Sequence, residues 1–384
     1  MTKPASPQAR PRKRLVFHIG DHKTGSTSVQ TAFASDHVRV KGQVPFFPAK
    51  LSHNWLKDHC QAYAAPNKPK AKAKAINTFK NLAASIRESE AEFCLISGES
   101  LEGIPAAVMK EIIDRFFAHA ADEIRVIAYV RPHAGRFTSG FTERVKTGLP
   151  NALKRDLDSF FTFAYSNGAF LYAPRFQAWR DQFGTDFILR PMVRDQLYKE
   201  SVVEDFILHA FDTRDFDILG KADANESLCL EDLMRLKVLQ LRIFKTSTPQ
   251  LRHAVGWEFA RLIARMPPPE TRTKLRLHKS LAKQVHSAYL EDARTMDRDF
   301  FDGQPLLESD LERAVQTAPA EALSMEPADH LSATDMRSLE VMASMIDGLL
   351  RNKDVSWVPF LRANRIRDIK ALRAAITEEP VRPS

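Results

Sequence analysis

The six residues Lys23-Thr24-Gly25-Ser26-Thr27-Ser28 bring together one cation, one glycine and four hydroxyls. Such a mixture suits an anion: main-chain N–H groups and hydroxyls donate, the glycine admits close approach, and the lysine adds charge. Ahead of them, Leu15-Val16-Phe17-His18-Ile19 is a β-favouring apolar run that stops at Gly20. Behind them, Val29 to Phe33 carries apolar residues at helical spacing. Strand, glycine-bounded loop and helix start predict a phosphate cradle. Gly20 and Gly25 fall where a Walker A loop has its glycines, and Thr27 where it has its hydroxyl. Ser26 fills the lysine slot, however, and the lysine comes three residues earlier. A cation beside a helix N-terminus is disfavoured unless an anion offsets it, so Lys23 reads as part of the site rather than as a surface lysine.

Two further strand ends carry chemistry. The run Ile124 to Val130 breaks at Arg131-Pro132. An arginine at the carboxyl end of a buried parallel strand is placed to grip a second phosphate with its planar fork. Ser139 follows eight residues on, along the next helix. Phe93-Cys94-Leu95-Ile96 ends at Ser97-Gly98-Glu99-Ser100, which makes Glu99 a candidate proton acceptor; the alternative is a first-turn carboxylate of a helix near Leu101. His22, next to Lys23, is the rival base. His18 and His22 straddle a strand and a loop, so no zinc pair is expected. Arg144 and Lys146 either line an acceptor cleft for an acidic sugar or form a solvated face, and the solvated face is the expected reading.

The elements that must position these residues form a regular alternation. Apolar runs over 15–19, 93–96, 124–130 and 186–189 alternate with helical segments over 29–37, 76–89, 108–119 and 202–210. Near-continuous apolar strands between helices predict an α/β fold, a P-loop-like parallel sheet flanked by helices, with ligands at the carboxyl ends of its strands. A loop is expected over 42–48, a short helix over 54–63, and a solvated loop or helix start over 66–75. From about residue 225 the pattern is helical, with helices over 228–244, 281–290 and 335–350. The chain therefore divides into a flexible basic leader (1–14), an α/β domain (15–302) and a mostly helical C-terminal extension (303–384).

With 44% hydrophobic and 27% charged residues, the 384-residue chain has the composition of a globular protein. It contains no apolar run long enough for a membrane span, and its leader lacks the apolar segment of a secretory signal. A net charge of +8 favours anionic partners. Part of that excess sits in the leader and in 67–74, and no helix-turn-helix, zinc-finger or aromatic-basic signature accompanies it, so no nucleic acid is expected. Three cysteines without a CxxC point to a reducing, cytoplasmic setting and to no metal.

Two of these stretches carry a resemblance. Lys23-Thr24-Gly25-Ser26-Thr27 in its strand–loop–helix resembles the 5′-phosphosulfate loop of sulfotransferases that use 3′-phosphoadenosine-5′-phosphosulfate (PAPS). Val126-Ile127-Ala128-Tyr129-Val130-Arg131-Pro132 followed by Ser139 resembles the same family's 3′-phosphate motif. The likeness is clearest over 15–145. It extends through Leu189-Arg190-Pro191 with Asp205-Phe206 and through Asn225-Glu226-Ser227-Leu228, and is similar to bacterial carbohydrate sulfotransferases. Ser26 replaces a commoner threonine, and the family's later basic loop has no counterpart that can be placed. The resemblance implies Lys23 at the bridging oxygen, Thr24, Gly25, Ser26, Thr27 and Ser28 at the 5′-phosphate, and Arg131 and Ser139 at the 3′-phosphate. It also implies Glu99 as base, a small-molecule or glycan acceptor, and 3′-phosphoadenosine-5′-phosphate as product. Two other readings stand beside it. One is a P-loop kinase or NTPase, weakened by the missing lysine after Gly25 and by the lack of a clear Walker B acid. The other is a sulfotransferase-like protein that binds without catalysing.

Overall fold

Successive residues of a strand point to opposite faces of a sheet, and in Arg14–His18 (β1) both sets are buried. Leu15 and Phe17 pack with Cys94, Ile96, Val126 and Ala128 on one side, while Val16 packs with Leu95, Ile127 and Tyr129 on the other. Both faces are therefore covered, which is why these strands read as continuous apolar runs. The computed structural model describes residues 12–220 and 228–378. In it β1, Phe93–Ser97 (β3), Glu123–Val130 (β4) and Phe187–Pro191 (β5) form a parallel sheet of order β3-β1-β4-β5. Phe17 sits opposite Ile96 on one side and Val126 on the other. That register brings the carboxyl ends of β3, β1 and β4 together. Val38–Val40 (β2) and Phe216–Ile218 (β6) add a small antiparallel pair that the pattern did not predict, each being only three residues long.

Helices α1 (Ser26–Ala34), α2 (Leu56–Ala64) and α3 (Pro69–Glu88) lie between β1 and β3, and α4 (Ala106–Ile112) leads to β4. After β4 come α5 (His133–Lys146), α6 (Pro150–Leu153), α7 (Leu157–Ser166) and α8 (Ala173–Phe183), then β5 and α9 (Val202–Phe211). The C-terminal region carries no strand among its described residues, only helices joined by loops. It consists of α10 (Leu230–Ile243), α11 (Pro249–Ile263), α12 (Lys279–Phe300), α13 (Leu306–Thr317), α14 (Ala333–Leu350) and α15 (Trp357–Glu378). The expected α/β sheet with a helical C-terminal region is the architecture found.

Several boundaries differ from expectation, for local reasons. α3 begins at Pro69, inside the segment expected as loop or helix start, because proline suits the first helical position and alternating Lys and Ala continue a helix well. The helix expected over 108–119 is α4 continued by a single π-turn, Ile113–Phe117. The helix expected over 281–290 is part of the 22-residue α12. Residues 225–227 of the sequence likeness and most of the leader lie outside the described residues. Leu189-Arg190-Pro191 and Asp205-Phe206 meet as a structural tie: Arg190 Nη2 lies 2.9 Å from Asp205 Oδ1, and the Tyr129 hydroxyl donates to Oδ2 at 2.6 Å. Beyond residue 303, Leu307, Leu311, Met325 and Leu331 belong to the same buried cluster as Leu15 and Phe17. A separate cluster of Leu236, Leu239, Ile243, Val255 and Ala343 binds α10, α11 and α14. Among the described residues, no helix is long and apolar enough to cross a membrane.

Candidate functional site

The loop after β1 owes its shape to backbone geometry. Gly20 has φ +92°, and a Cβ there would lie 2.7 Å from the Glu99 carbonyl oxygen and 2.8 Å from its Cα. Only glycine lets the β1 loop press against Glu99, two residues past the end of β3. Gly20→Ala is expected to lower stability by roughly 1–3 kcal/mol and to push the Glu99 backbone away; a denaturation curve unchanged from wild type would contradict this contact. Lys23 and Gly25 are also left-handed, with φ 66° and 81°. The N–H groups of Ser28 and Val29 both turn back to the Gly25 carbonyl, at 2.9 and 3.3 Å. Those of Lys23, Thr24, Gly25, Ser26 and Thr27 donate to no acceptor among the described residues. A run of unsatisfied donors across a left-handed turn and a helix N-terminus supplies the kind of donors that an anion-binding concavity requires.

The hydroxyls divide into two groups. Thr24 Oγ1 donates to the Asp21 carbonyl at 2.5 Å, and Ser26 Oγ leans on the same oxygen at 3.5 Å. Both side chains are buried and brace the loop from within. The hydroxyls of Thr27 and Ser28 make no hydrogen bond among the described residues.

Beneath the loop lies a network that the sequence did not announce. The Asp21 carboxylate, 1% exposed, accepts from Arg136 Nη2 at 3.1 Å and from Arg175 Nη2 at 2.9 Å. The His22 N–H is shared between Asp21 Oδ1 at 2.7 Å and Glu102 Oε2 at 3.0 Å. Burial alone would raise the Asp21 carboxyl, but Arg136 and Arg175 override it and hold the group well below the usual carboxylate range. Glu102 is pushed up to about 7, by burial and then by the charge on Asp21. Asp21 was legible as a loop residue. Arg136 and Arg175 reach it from α5 and α8, and only packing reveals them.

Above the loop, Lys23 Nζ stands 3.4 Å from Glu143 Oε2, an oxygen that also takes Lys146 Nζ at 2.7 Å. Burial would raise Glu143, but Lys146 and Lys23 bring it down to about 2. Lys146, read from sequence as part of a solvated face, is buried. It lies at the last turn of α5, the helix that lines the site. Arg144 Cζ lies over the rings of Phe160 and Phe170, at 5.5 and 5.6 Å.

The two candidate bases are neighbours. His22 Nδ1 lies 3.6 Å from Glu99 Oε2, and His22 Nε2 lies 3.5 Å from Glu102 Oε1. Burial lowers His22, but the Glu99 carboxylate beside Nδ1 and the charge on Glu102 prevail and carry it up to about 9. At neutral pH the imidazole is then a cation with no lone pair to offer. Burial would raise Glu99, yet His22 holds it down, so it stands as an ionised carboxylate.

Arg131 reaches the loop: its Nη1 donates to the Lys23 carbonyl at 3.2 Å, and its own carbonyl accepts the Tyr172 hydroxyl at 2.8 Å. Ser139 is two turns along α5, buried, and its Oγ donates to the Arg136 carbonyl at 3.2 Å. It makes no hydrogen bond to Lys23, Glu99 or Arg131 among the described residues. The structure thus gathers the loop, Lys23, His22, Glu99 and Arg131, adds Glu143 and Lys146, and leaves the Ser139 hydroxyl on its own helix. Comparisons of the chain with protein-family models, with curated proteins and with solved structures return no match.

Proposed function

We propose that this protein is a sulfotransferase that moves a sulfuryl group from PAPS to a hydroxyl or amine of a carbohydrate-like acceptor. The observation that carries this reading is the left-handed Lys23 set in a run of unsatisfied main-chain N–H groups, with Arg131 bonded to that loop. In this reading the N–H groups of residues 23–27 hold the 5′-phosphate, and the Arg131 guanidinium holds the second phosphate. The acceptor oxygen attacks sulfur, the sulfur–oxygen bond to the 5′-phosphate breaks, and the bisphosphate leaves with the electron pair. The acceptor's proton passes to the Glu99 carboxylate. Lys23 faces the oxygen on which negative charge grows; its 3.4 Å tie to Glu143 is long and easily exchanged for a phosphate oxygen. His22, as an imidazolium, keeps Glu99 ionised and oriented. The buried, unpaired cysteines Cys60, Cys94 and Cys229 suit a cytoplasmic protein.

Ligand-induced stabilisation tests the reading. The product 3′-phosphoadenosine-5′-phosphate at 100 times its Kd should stabilise the fold by about 2.7 kcal/mol, read as a raised melting midpoint, and Mg·ATP should do much less. Stabilisation by ATP alone would overturn the proposal in favour of a kinase or NTPase. Stabilisation by the bisphosphate with no sulfate transfer to a panel of sugars would leave a binding protein.

A further inference from the structure

α15 is pinned at both ends. On α11, Asn364 Nδ2 donates to Glu258 at 2.9 Å, and Asp368 pairs with Arg261 at 3.2 Å and Arg265 at 2.5 Å. Farther along, Arg373 Nη2 reaches Asp36 at 2.8 Å and the Ala34 carbonyl at 3.1 Å, at the end of the helix that begins in the anion loop. Within the first of these anchors, between Asn364 and Asp368, Arg365 lies over the Trp257 ring, with Cζ 4.2 Å from the ring centre, and Lys146 Nζ lies 3.6 Å from the same centre. Lys146 meets Glu143, and Glu143 meets Lys23. A continuous path of contacts therefore runs from the loop lysine to the C-terminal helix.

The charges along that path do not balance. Glu143 is the single carboxylate shared by Lys23 and Lys146, and Glu99 is engaged by His22. Arg365 is half-buried, yet it has no carboxylate and no hydrogen-bond acceptor among the described residues. A guanidinium held in place by an indole, with its donors unspent, is a preorganised seat for a planar or tetrahedral anion. Its surroundings indicate which molecule brings that anion. The cations that bear on the loop from beneath are Arg131, Arg136 and Arg175. Arg365 instead feels burial, the neighbouring Arg362, and then the carboxylates Glu99, Glu143 and Glu258, the last of which is already taken up by Arg261 and Asn364. Glu99 is the group that faces the acceptor hydroxyl in the reaction proposed above.

We infer that Arg365, positioned by Trp257, binds a carboxylate or sulfate group on the acceptor, so that the preferred acceptor is an anionic saccharide and the C-terminal helix is part of the acceptor site. The inference rests on the sulfotransferase reading. A charge-assisted bond of about 1.5–3 kcal/mol corresponds to roughly a 10- to 150-fold effect.

The test compares the wild type with Arg365→Ala and Arg365→Gln, the latter keeping length without charge. The acceptors are a uronic-acid-bearing oligosaccharide and its neutral counterpart. KM for the acidic acceptor should rise about 10- to 100-fold in both variants. KM for the neutral one should stay within about twofold, and the Kd of 3′-phosphoadenosine-5′-phosphate, measured by calorimetry, should be unchanged. Equal changes for both acceptors would overturn the inference, and so would a weakened bisphosphate Kd, which would assign Arg365 to the donor. Calorimetry of the acidic oligosaccharide on the bisphosphate-loaded wild type adds a readout free of turnover: absence of binding there sinks the inference and leaves the donor reading standing. Absence of bisphosphate binding removes the donor reading and the inference together.

Discussion

Lys23→Ala should leave a folded protein that still takes up 3′-phosphoadenosine-5′-phosphate, with turnover lowered by about 10²–10³-fold. The fold is not expected to suffer, because the Lys23 ammonium is a quarter exposed and its one carboxylate partner among the described residues, Glu143, keeps Lys146 at 2.7 Å. An ion pair of that kind contributes about 0–1 kcal/mol. The left-handed turn at Lys23 is held by its neighbours: the Lys23 carbonyl receives Arg131, and the Thr24 hydroxyl closes on the Asp21 carbonyl. The N–H groups of residues 23–27 are main-chain donors and survive the substitution. Bisphosphate affinity should therefore fall far less than kcat, since in the proposed reaction the lysine acts where charge appears during bond breaking. Calorimetry of bisphosphate binding beside kcat separates the two. Full activity in this variant would refute the role of Lys23, and a proportional loss of binding and turnover would make it an ordinary phosphate contact.

The second large effect belongs to Asp21. Asp21→Ala leaves Arg136 and Arg175 without the carboxylate they share inside the protein, and breaking a buried pair typically costs about 3–5 kcal/mol. Glu102 Oε2 stands 3.6 Å from Arg175 and Glu102 Oε1 stands 3.9 Å from Arg136, so it can take up part of the pairing. That places the expected loss near the lower end, about 3 kcal/mol, read as a melting midpoint several degrees lower. The pH dependence has a definite sign. The folded Asp21 carboxyl lies below its unfolded value, so its contribution is complete above about pH 4. It is lost as pH falls from there toward the folded value, because the unfolded chain then binds the proton first. The gap in stability between wild type and Asp21→Ala should thus be widest near neutrality and narrow on acidification below about pH 4. A gap under about 1 kcal/mol at pH 7 would show that this network does not hold the loop.

The strand–loop–helix around Gly20 and Gly25 was legible because its determinants are local. An apolar run, two glycines at left-handed positions and a helical spacing lie within about twenty consecutive residues, and the backbone conformation they dictate also exposes the anion-binding N–H groups. Arg131 was legible for a similar reason, since a strand end in a parallel sheet fixes where the next residue can reach. The sheet itself followed from four apolar runs buried on both faces. The charge states were not legible. Glu99 and His22 competed as bases in the sequence, and what separates them is their own contact together with Glu102, which the fold brings to the other side of the imidazole.

The sequence by itself thus determined the parallel sheet and a glycine-bounded loop with a lysine in an unusual slot. Tertiary structure decided everything that depends on side chains from distant segments meeting. Arg136 and Arg175 reach Asp21 across 115 and 154 residues, and Glu143 reaches Lys23 across 120. Packing also turned the Ser139 hydroxyl onto its own helix and set Arg365 above Trp257. The physical reason is one of range. Backbone geometry is set by neighbours within a turn or a strand, whereas a buried charge is satisfied by whichever partner the folded helices bring within hydrogen-bond distance.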